Sequence, residues 1–582
     1  MQSRADEVRT VGGRLETRWA SNVSLTLPHP EYPRPGLVRG DWENLNGKWD
    51  YAITTFAGPS RAARSGSILV PFPAESSLSG VGDAFNSQKK LEYRRKFTIP
   101  SAWNGKRILL HFDAVNWEAR VELNGKLLGT HRGGYERFSY DITDALTNGD
   151  QNLTVTVVNP GDKGRQPRGK QTFSPHGIWY TSASGIWQTV WLEPVPEVFV
   201  AGVKLVPDID TGSIEIVPEV HGNTNGTSVE AVGFDEGRVV GRATGQAGQP
   251  LRIKIADAKL WSPENPFLYD LKISLVKNGG KIDEVTTYFG MRKVRVAKGV
   301  GGFPRIQLNN SDYFQLGVLD QGYWPDGIYT APTDDALRSD IDLMKRLGFN
   351  MCRKHVKVEP ERWYYWCDKL GLLVWQDMPS PGRFASPTAK DAAWPAGASE
   401  AFRQELAGVL KQNQNHPSIA LWIAFNEGWG QHDTPAIVNF IQEIDPQRLV
   451  VSASGWNDRG VGDVLSLHRY PGPALPNAWD KRAIVCGECG GLGLPIAGHL
   501  WDPRQAWSYS KFHTTEELNA AYANLVERIV VGKEAGLSGA VITQLTDVES
   551  EVNGLATYDR EVVKLNTAPI NMKLVKEAQN SQ

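Results

Sequence analysis

The second half of the chain alternates short β-rich runs with amphipathic helical stretches, and this alternation restricts the fold more than any other feature. Eight apolar runs follow residue 299, and several of them are separated by segments with helical periodicity. The predicted strands are 314–319, 349–355, 372–378, 420–427, 448–454, 464–470, 483–488 and 539–545. The clearest predicted helices are 333–348, 359–371 and 514–532. Eight strands alternating with helices predict a (β/α)8 barrel over residues 299–582.

Two β-rich regions precede this barrel. Residues 1–196 contain alternating runs, and Asn124-Gly125 lies between two apolar segments, which predicts a tight hairpin because both residues tolerate a positive φ. We interpret this region as a jelly-roll sandwich. Residues 197–298 contain alternating runs at 213–220 and 268–276, and a length of roughly 100 residues predicts an immunoglobulin-like sandwich.

Composition excludes several classes of protein. The chain has 63 basic and 65 acidic residues, so its net charge of -2 predicts no general attraction to nucleic acid or to an anionic membrane. No apolar run approaches the roughly 18 residues of a membrane span. Four cysteines are too few for a disulfide scaffold. The N-terminus lacks a secretory pattern, so we expect a cytoplasmic protein, or a periplasmic or secreted one whose signal was removed.

Tryptophan is unusually frequent, with 20 residues against 6 methionines. Its flat apolar ring stacks well on the C–H faces of sugars, which hints at a carbohydrate ligand. Trp429 and Trp456 follow the fourth and fifth predicted barrel strands, where stacking on a sugar and packing in the core are about equally expected. Trp179 and Trp187, in the first region, are expected in the core.

In a barrel of this kind the chemistry is carried by residues at the C-terminal ends of the strands. The polar candidates there are Arg353, His355, Asp377, Asn426, Glu427, His468, Tyr470 and Glu488. Glu427 and Glu488 emerge from nearly opposite strands, which is the arrangement of a retaining glycosidase. One carboxylate attacks the anomeric carbon while the other donates a proton, and the two lie roughly 5–5.5 Å apart.

Residue chemistry predicts a different role for each glutamate. Tyr470 and Arg353 are expected to donate hydrogen bonds to Glu488 and keep it ionised as the nucleophile. Burial and repulsion from the nucleophile would keep a proton on Glu427, the acid/base. Asn426 is placed to hydrogen-bond a sugar hydroxyl. For His355, His468 and Asp377, contact with the sugar and support of other site residues are about equally expected.

These motifs resemble those of glycoside hydrolase family 2, which contains β-galactosidases, β-glucuronidases and β-mannosidases. The resemblance covers nearly the whole chain and rests on RPGLVRGDWENLNGKWDY (34–51), LEYRRKFTIP (91–100), GGYERFSYDIT (133–143), SGIWQTVWLEPV (184–195), HPSIALWIAFNEGWG (416–430), SLHRYPGP (466–473) and IVCGECGG (484–491). It implies the domain order given above, with Glu427 as acid/base beside Asn426 and Glu488 as nucleophile. It also implies that Tyr470 hydrogen-bonds the nucleophile and that His355 lies near the sugar.

Departures from the family pattern bear on the substrate. Residues 542–545 read Ile-Thr-Gln-Leu, without the tryptophan that lines the sugar site in many members. Glucuronidases have Asn-x-Lys after strand eight to hold the uronate, and residues 551–554 read Glu-Val-Asn-Gly instead. Asn571-Met572-Lys573 fits that pattern but lies in a predicted terminal helix. An acid in this place would repel a uronate, so a β-galactosidase-like activity is favoured.

Several alternatives stay open within and outside this class. They are a β-mannosidase, an α-L-arabinopyranosidase, a uronidase with another carboxylate clamp, a transglycosylase and a non-catalytic carbohydrate-binding protein. No cofactor and no metal are expected, because Gln376-Asp377 occupies the position of the acid and histidine that help bind magnesium in some β-galactosidases. The expected partner is a carbohydrate, and a homo-oligomer is left open.

Overall fold

The computed structural model describes residues 10–11, 14–56, 64–380, 382, 384–387, 390–475 and 480–579. Two β-sandwiches precede a closed barrel of eight parallel strands, so the predicted fold class is confirmed. Within the described ranges, no helix is long and apolar enough to cross a membrane.

The first sandwich consists of two antiparallel sheets. In spatial order, the larger sheet contains Lys126–Arg132, Glu118–Leu123, Gln151–Val158, Lys89–Phe97, Gly47–Thr55 and Arg64–Val70. The smaller sheet contains Phe138–Asp141, Arg107–Phe112, Val190–Val195 and Glu43–Asn44. Short pairs are formed by Thr10–Val11 with Arg14–Leu15, Val115–Asn116 with Gly185–Ile186, and Gln171–Thr172 with Tyr180–Thr181.

Local sequence explains the strands of this sandwich. In Gln151–Val158 the buried positions alternate with more exposed ones, because successive side chains point to opposite faces of a sheet. The predicted hairpin is present: Asn124 and Gly125 both have a positive φ, and Leu123 pairs with Lys126. The inward-facing side chains form one apolar cluster between the two sheets, which includes Trp49 and Tyr93.

The second sandwich has its own apolar cluster. Its three-stranded sheet contains Phe199–Asp208, Ser213–His221 and Leu251–Lys254. Its four-stranded sheet contains Arg238–Gln246, Thr227–Asp235, Tyr269–Lys277 and Gly280–Phe289.

A small sheet joins this sandwich to the barrel. It contains Val294–Lys298, Pro304–Leu308 and Ser311–Asp312, and it packs with Trp261 against barrel side chains such as Met351. The sheet therefore crosses position 298, where the sequence predicts the boundary between the second domain and the barrel. We propose that the second domain ends before Val294, because the sheet shares the barrel's core.

The barrel strands follow each other in chain order around the cylinder, and the eighth pairs with the first. In chain order they are Gln315–Asp320, Met351–Lys354, Leu373–Asp377, Ile419–Ile423, Leu449–Ser454, Val464–His468, Ala483–Gly490 and Leu537–Thr543. All eight overlap the predicted strands, and the largest difference is at the fourth, which ends at Ile423 rather than at residue 427.

Six α-helices lie in the described part of the chain: α1 (Asp334–Arg346), α2 (Glu361–Leu370), α3 (Ala396–Asn413), α4 (Thr434–Ile444), α5 (Thr515–Glu534) and α6 (Ala568–Gln579). Loops, not helices, connect strand five to six across the nine-residue stretch 455–463, and the described residues between strands six and seven are also non-helical. A short pair, Leu492–Gly493 with Ser510–Lys511, follows strand seven. The described residues also form five single-turn 3-10 helices, which are Ala20–Asn22, Ser101–Trp103, Thr143–Ala145, Gly161–Lys163 and Val300–Gly302.

The first domain docks on the barrel through a shared core. Trp19, Tyr135, Tyr180 and Trp187 belong to the same apolar cluster as the barrel helices. Trp187 is thus a core residue, as predicted, although its core is the one shared with the barrel. This contact brings the loop around residues 161–183 to the barrel's C-terminal mouth.

A pair of buried carboxyl groups crosses this docking interface. Glu405 of α3 accepts a hydrogen bond from Gly134 N at 2.6 Å, and Glu136 lies 3.3 Å from His131. Burial raises the pKa of Glu136 from 4.5 to about 8. Burial and the charge of Glu136 also raise the pKa of Glu405 well above its usual value. Glu136 therefore favours the protonated form in the folded protein at neutral pH.

This pair predicts how stability depends on pH. The folded state keeps protons that the unfolded state releases above pH 4.5, so stability falls as the pH rises from 4.5 to about 8. Glu136→Gln keeps the neutral form, and we expect its Tm relative to wild type to rise between pH 5 and pH 8. Glu443→Gln, an exposed position on α4, is the control. A Tm difference for Glu136→Gln that is constant over this range would contradict the prediction.

Candidate active site

Two glutamates face each other at the C-terminal mouth of the barrel. Glu488 lies within strand seven, whereas Glu427 lies in the turn that follows strand four. Glu427 has a positive φ of 48°, and its N–H donates to Ser454 O at 2.7 Å. A left-handed conformation is uncommon for a residue with a side chain and recurs at functional sites. One carboxylate oxygen of Glu427 lies within 4.8 Å of one of Glu488.

Positive and hydrogen-bonding groups surround Glu488. Its Oε1 accepts from Arg353 Nη1 at 3.0 Å, and its Oε2 accepts from the Tyr470 hydroxyl at 2.6 Å. Burial alone would raise the pKa of Glu488. His468 and His355 in their protonated forms, the charge of Arg353 and the hydrogen bond from Tyr470 outweigh burial and lower the pKa to about 2. Glu488 is therefore ionised at neutral pH.

Arg353 is fully buried and connects three side chains of the site. Its guanidinium donates two hydrogen bonds of 3.0 Å to Asp377 as well as the bond to Glu488. It also donates to Asn426 Oδ1 at 2.8 Å. A guanidinium is planar, and its N–H groups point in fixed directions. These hydrogen bonds therefore set the relative positions of strands two, three, four and seven at their C-terminal ends.

Asn426 has one group free for a ligand. Its Oδ1 is held by Arg353, and its Nδ2 is buried without a hydrogen-bond partner in the described residues. A buried unsatisfied amide costs free energy unless a bound molecule accepts its hydrogen bond. The role of Asn426 toward a sugar hydroxyl stays a prediction, and this amide is the group that would donate.

The two histidines have defined ring protons. Arg353 Nη1 lies 3.2 Å from His468 Nε2, and since a guanidinium only donates, the ring proton of neutral His468 is on Nδ1. That nitrogen is 2.9 Å from Glu427 Oε1 and 3.6 Å from Glu488 Oε2, so His468 donates between the two glutamates. His355 Nδ1 donates to Asp377 at 2.8 Å and leaves Nε2 3.9 Å from Glu488.

Aromatic rings line the C-terminal mouth of the barrel and its outer edge. The Trp429 ring is 6.2 Å from that of His355, and Trp456 is 47% exposed at the rim with its ring 6.0 Å from His468. The structure thus brings all ten predicted residues to one mouth. Two further rings were not predicted there. Trp179 contacts Trp429 at 4.9 Å, and Tyr509 stacks on Tyr470 at 3.7 Å.

The position of Trp179 corrects its prediction as a core residue. It is half-buried and reaches the barrel mouth from the first domain, because the loop that carries it docks there. Tyr509 lies in the long loop after strand seven and is 41% exposed. Trp179 belongs to another domain and Tyr509 lies far along the loop from the end of strand seven, so a search of strand ends finds neither.

Glu427, His468 and Glu488 are the one group of the described residues whose donor atoms are close enough together to hold a metal ion. Arg353 is already bonded to Glu488, and its positive charge opposes a cation at this place. An ionised carboxylate facing a second carboxyl group fits acid/base and nucleophilic chemistry better.

Comparison with known families decides where this arrangement belongs. The model for the galactose-binding-like domain of glycosyl hydrolase 2 matches residues 82–186, that of glycosyl hydrolases family 2 matches 199–292, and that of the family 2 TIM barrel domain matches 330–472. The chain belongs to glycosyl hydrolase family 2. The matches cover all three parts of this family 2 protein in the predicted order.

Curated relatives of this family 2 protein carry two different names. It is 29% identical over 423 residues to a beta-glucuronidase of Bacteroides fragilis, covering 65% of this chain and 57% of that protein. It is 26% identical over 359 residues to a beta-galactosidase of Thermoanaerobacter pseudethanolicus, covering 59% and 45%. The chain spans about half the length of the curated relatives it matches.

A solved structure shares the fold over nearly its full length. The beta-D-glucuronidase of Dictyoglomus thermophilum superposes with a TM-score of 0.74 at 17% identity, covering 94% of this chain and 98% of that one. At this identity the likeness shows the fold alone.

Proposed function

We propose that this family 2 protein is a retaining exo-β-glycosidase that releases a terminal sugar from β-linked oligosaccharides or glycosides. The separation of Glu427 and Glu488 oxygens, within 4.8 Å, supports this proposal. Retaining enzymes have carboxyl groups about 5–5.5 Å apart, whereas inverting enzymes need about 6.5–9.5 Å to admit a water molecule. The names of both groups of relatives agree with a glycosidase.

The proposed reaction has two displacements. Glu488 attacks the anomeric carbon and forms a glycosyl ester, while Glu427 gives its proton to the departing glycosidic oxygen. Glu427 then takes a proton from water, and the resulting nucleophile releases the sugar and restores Glu488. The low pKa of Glu488, about 2, keeps it ready to attack, and the Nδ1 proton of His468 orients Glu427.

A panel of α- and β-nitrophenyl glycosides tests the class and the sugar together. We expect nitrophenol release from a β-glycoside and, by proton NMR, the β-anomer of the sugar as the first product. The α-anomer as first product would establish inversion and contradict the proposal. The panel includes galactoside, mannoside, glucuronide and α-L-arabinopyranoside, and added sugar acceptors reveal transglycosylation. If no glycoside of the panel released nitrophenol while the protein still bound sugars, a carbohydrate-binding protein would be favoured.

The identity of the released sugar depends on the loop that follows strand eight. The sequence favours a β-galactoside because Glu551 stands where a glucuronidase has an amide. In the structure Glu551 accepts hydrogen bonds from Tyr180 and, at 2.9 Å, from Asn553, and Asn553 accepts from Gln544 at 2.8 Å. Within the described residues, no basic side chain bonds directly to the Glu551 or Asn553 side chain, although Lys564 donates to Val552 O at 3.1 Å. A uronate would therefore need positive charges from another element.

A further inference from the structure

A first-domain segment, Arg168-Gly169-Lys170, lies against the barrel mouth. Gly169 N donates to Ser380 O at 3.2 Å, after strand three. Gly169 has a φ of +60°, and a Cβ there would lie 2.2 Å from Val356 O, after strand two. Only glycine permits this approach. The close backbone contact therefore holds both flanking cations at the mouth.

Arg168 is 9% exposed and incompletely bonded. One guanidinium nitrogen donates to Gln171 O, whereas Nε is buried without a hydrogen-bond partner in the described residues. The guanidinium lies 5.5 Å above the ring of Trp179, which in turn contacts Trp429. Burial lowers the pKa of Arg168, and the charge of Asp162 offsets this only in part, since no carboxylate of the described residues forms an ion pair with the guanidinium.

Lys170 is 6% exposed, and its Nζ makes one long hydrogen bond, 3.5 Å to the Tyr180 hydroxyl. Lys170 follows Gly169, which lies against Val356, the residue after His355. His355 Nε2 in turn lies 3.9 Å from Glu488, so Lys170 lies on the His355 side of the barrel mouth. In agreement with this position, burial lowers the pKa of His355, and the charges of Arg353 and Lys170 act in the same direction.

Several other buried cations of this protein are compensated, although Arg305 donates only to Leu537 O and also has a buried Nε without a partner in the described residues. Lys354 pairs with Asp320 and Glu359, and Lys564 pairs with Asp547 at 2.7 Å. Arg292 donates to three backbone carbonyl oxygens. Burying a charge without such partners is costly, so two under-bonded cations beside one pocket point to an anionic ligand.

We propose that Arg168 and Lys170 form an anion subsite that binds an acidic group on the substrate, either the carboxylate of a uronic acid or a sulfate ester. This inference rests on the proposed glycosidase function and names its substrate class. The planar guanidinium suits a carboxylate, and the ammonium adds a second positive charge. The subsite comes from the first domain, in contrast to the Asn-x-Lys clamp expected after barrel strand eight.

The test compares matched substrates that differ in one group. These are the 4-nitrophenyl β-galactoside, β-galacturonide and 6-sulfo-β-galactoside, together with the β-glucoside and β-glucuronide. We expect wild type to have the higher kcat/KM for an acidic member of a pair. Arg168→Gln and Lys170→Gln should each reduce the acidic-to-neutral ratio by about 10- to 100-fold, the size of a charged hydrogen bond. Lys163→Gln, on a side chain 72% exposed, is the control.

Thermal unfolding separates binding from a merely structural role. Without ligand, both variants should have a Tm at least equal to that of wild type, because each removes a buried charge that forms no ion pair within the described residues. A preference of wild type for neutral substrates, or an equal loss on both members of a pair, overturns the subsite. Comparison of kcat/KM for the uronides with that for the 6-sulfo-β-galactoside shows whether the subsite binds a carboxylate or a sulfate.

A binding measurement covers the case in which no glycoside is hydrolysed. Calorimetry on Glu488→Gln with free D-galacturonate, D-glucuronate, galactose 6-sulfate and galactose is then decisive. Binding of an acidic sugar that Lys170→Gln abolishes keeps the subsite and overturns the proposed hydrolysis. Absence of selective binding of any acidic sugar overturns the subsite.

Discussion

Glu488→Ala will lose hydrolytic activity by about 10⁴-fold or more, as expected when a catalytic nucleophile is removed. The variant keeps Arg353 and Tyr470 but has no oxygen to form the glycosyl ester. Azide is small enough to enter the vacated space and attack the anomeric carbon of a substrate with a good leaving group. We expect it to restore turnover and to give the α-glycosyl azide, because a single displacement inverts the anomeric centre.

The measurement is the initial rate on a dinitrophenyl β-glycoside with and without azide, followed by NMR of the product. Glu443→Ala on α4 removes an exposed glutamate and should behave as wild type. If Glu488→Ala retained wild-type turnover, another residue would be the nucleophile. A β-glycosyl azide from this variant would likewise be inconsistent with the assignment.

Glu427→Ala will show a loss that depends on the leaving group. Without its acid, departure of a poor leaving group slows by about 10²–10⁴-fold, the usual contribution of general acid catalysis. A dinitrophenolate leaves without protonation, so the first displacement should be nearly unaffected and the glycosyl ester on Glu488 should accumulate. Azide should then release a β-glycosyl azide, because two displacements retain configuration.

The opposite anomers from the two alanine variants form the decisive comparison. Burst kinetics on the dinitrophenyl glycoside measures accumulation of the ester, and mass spectrometry places it on the peptide that contains Glu488. A loss in Glu427→Ala that was the same for good and poor leaving groups would remove Glu427 from the acid/base role.

The strands and the strand-end residues were predictable because their signals are local. Apolar runs of strand length separated by helical periodicity mark the eight barrel strands, and barrel topology then brings their ends to one mouth. Glu427, Glu488 and Arg353 could therefore be expected in one place before any coordinates were known. The turn after strand four was less predictable, since its left-handed Glu427 depends on a hydrogen bond to Ser454 on the next strand.

Side chains that reach the mouth from elsewhere carry no local signal. Trp179 lies about 250 residues before Glu427 in sequence and looks like any other tryptophan of a β-sandwich. Its place depends on how two domains dock, which is set by a core that both share. The same reason applies to Arg168 and Lys170, whose environment is set by barrel loops rather than by their neighbours in the chain.

The docking of the segment around Gly169 on the barrel loops has a consequence for recombination between family members. A chimera that combined this barrel with the first domain of a relative would inherit both glutamates intact but would exchange one wall of the pocket. The residues of the proposed double displacement would thus stay constant, whereas Trp179, Arg168 and Lys170 at the mouth would be replaced.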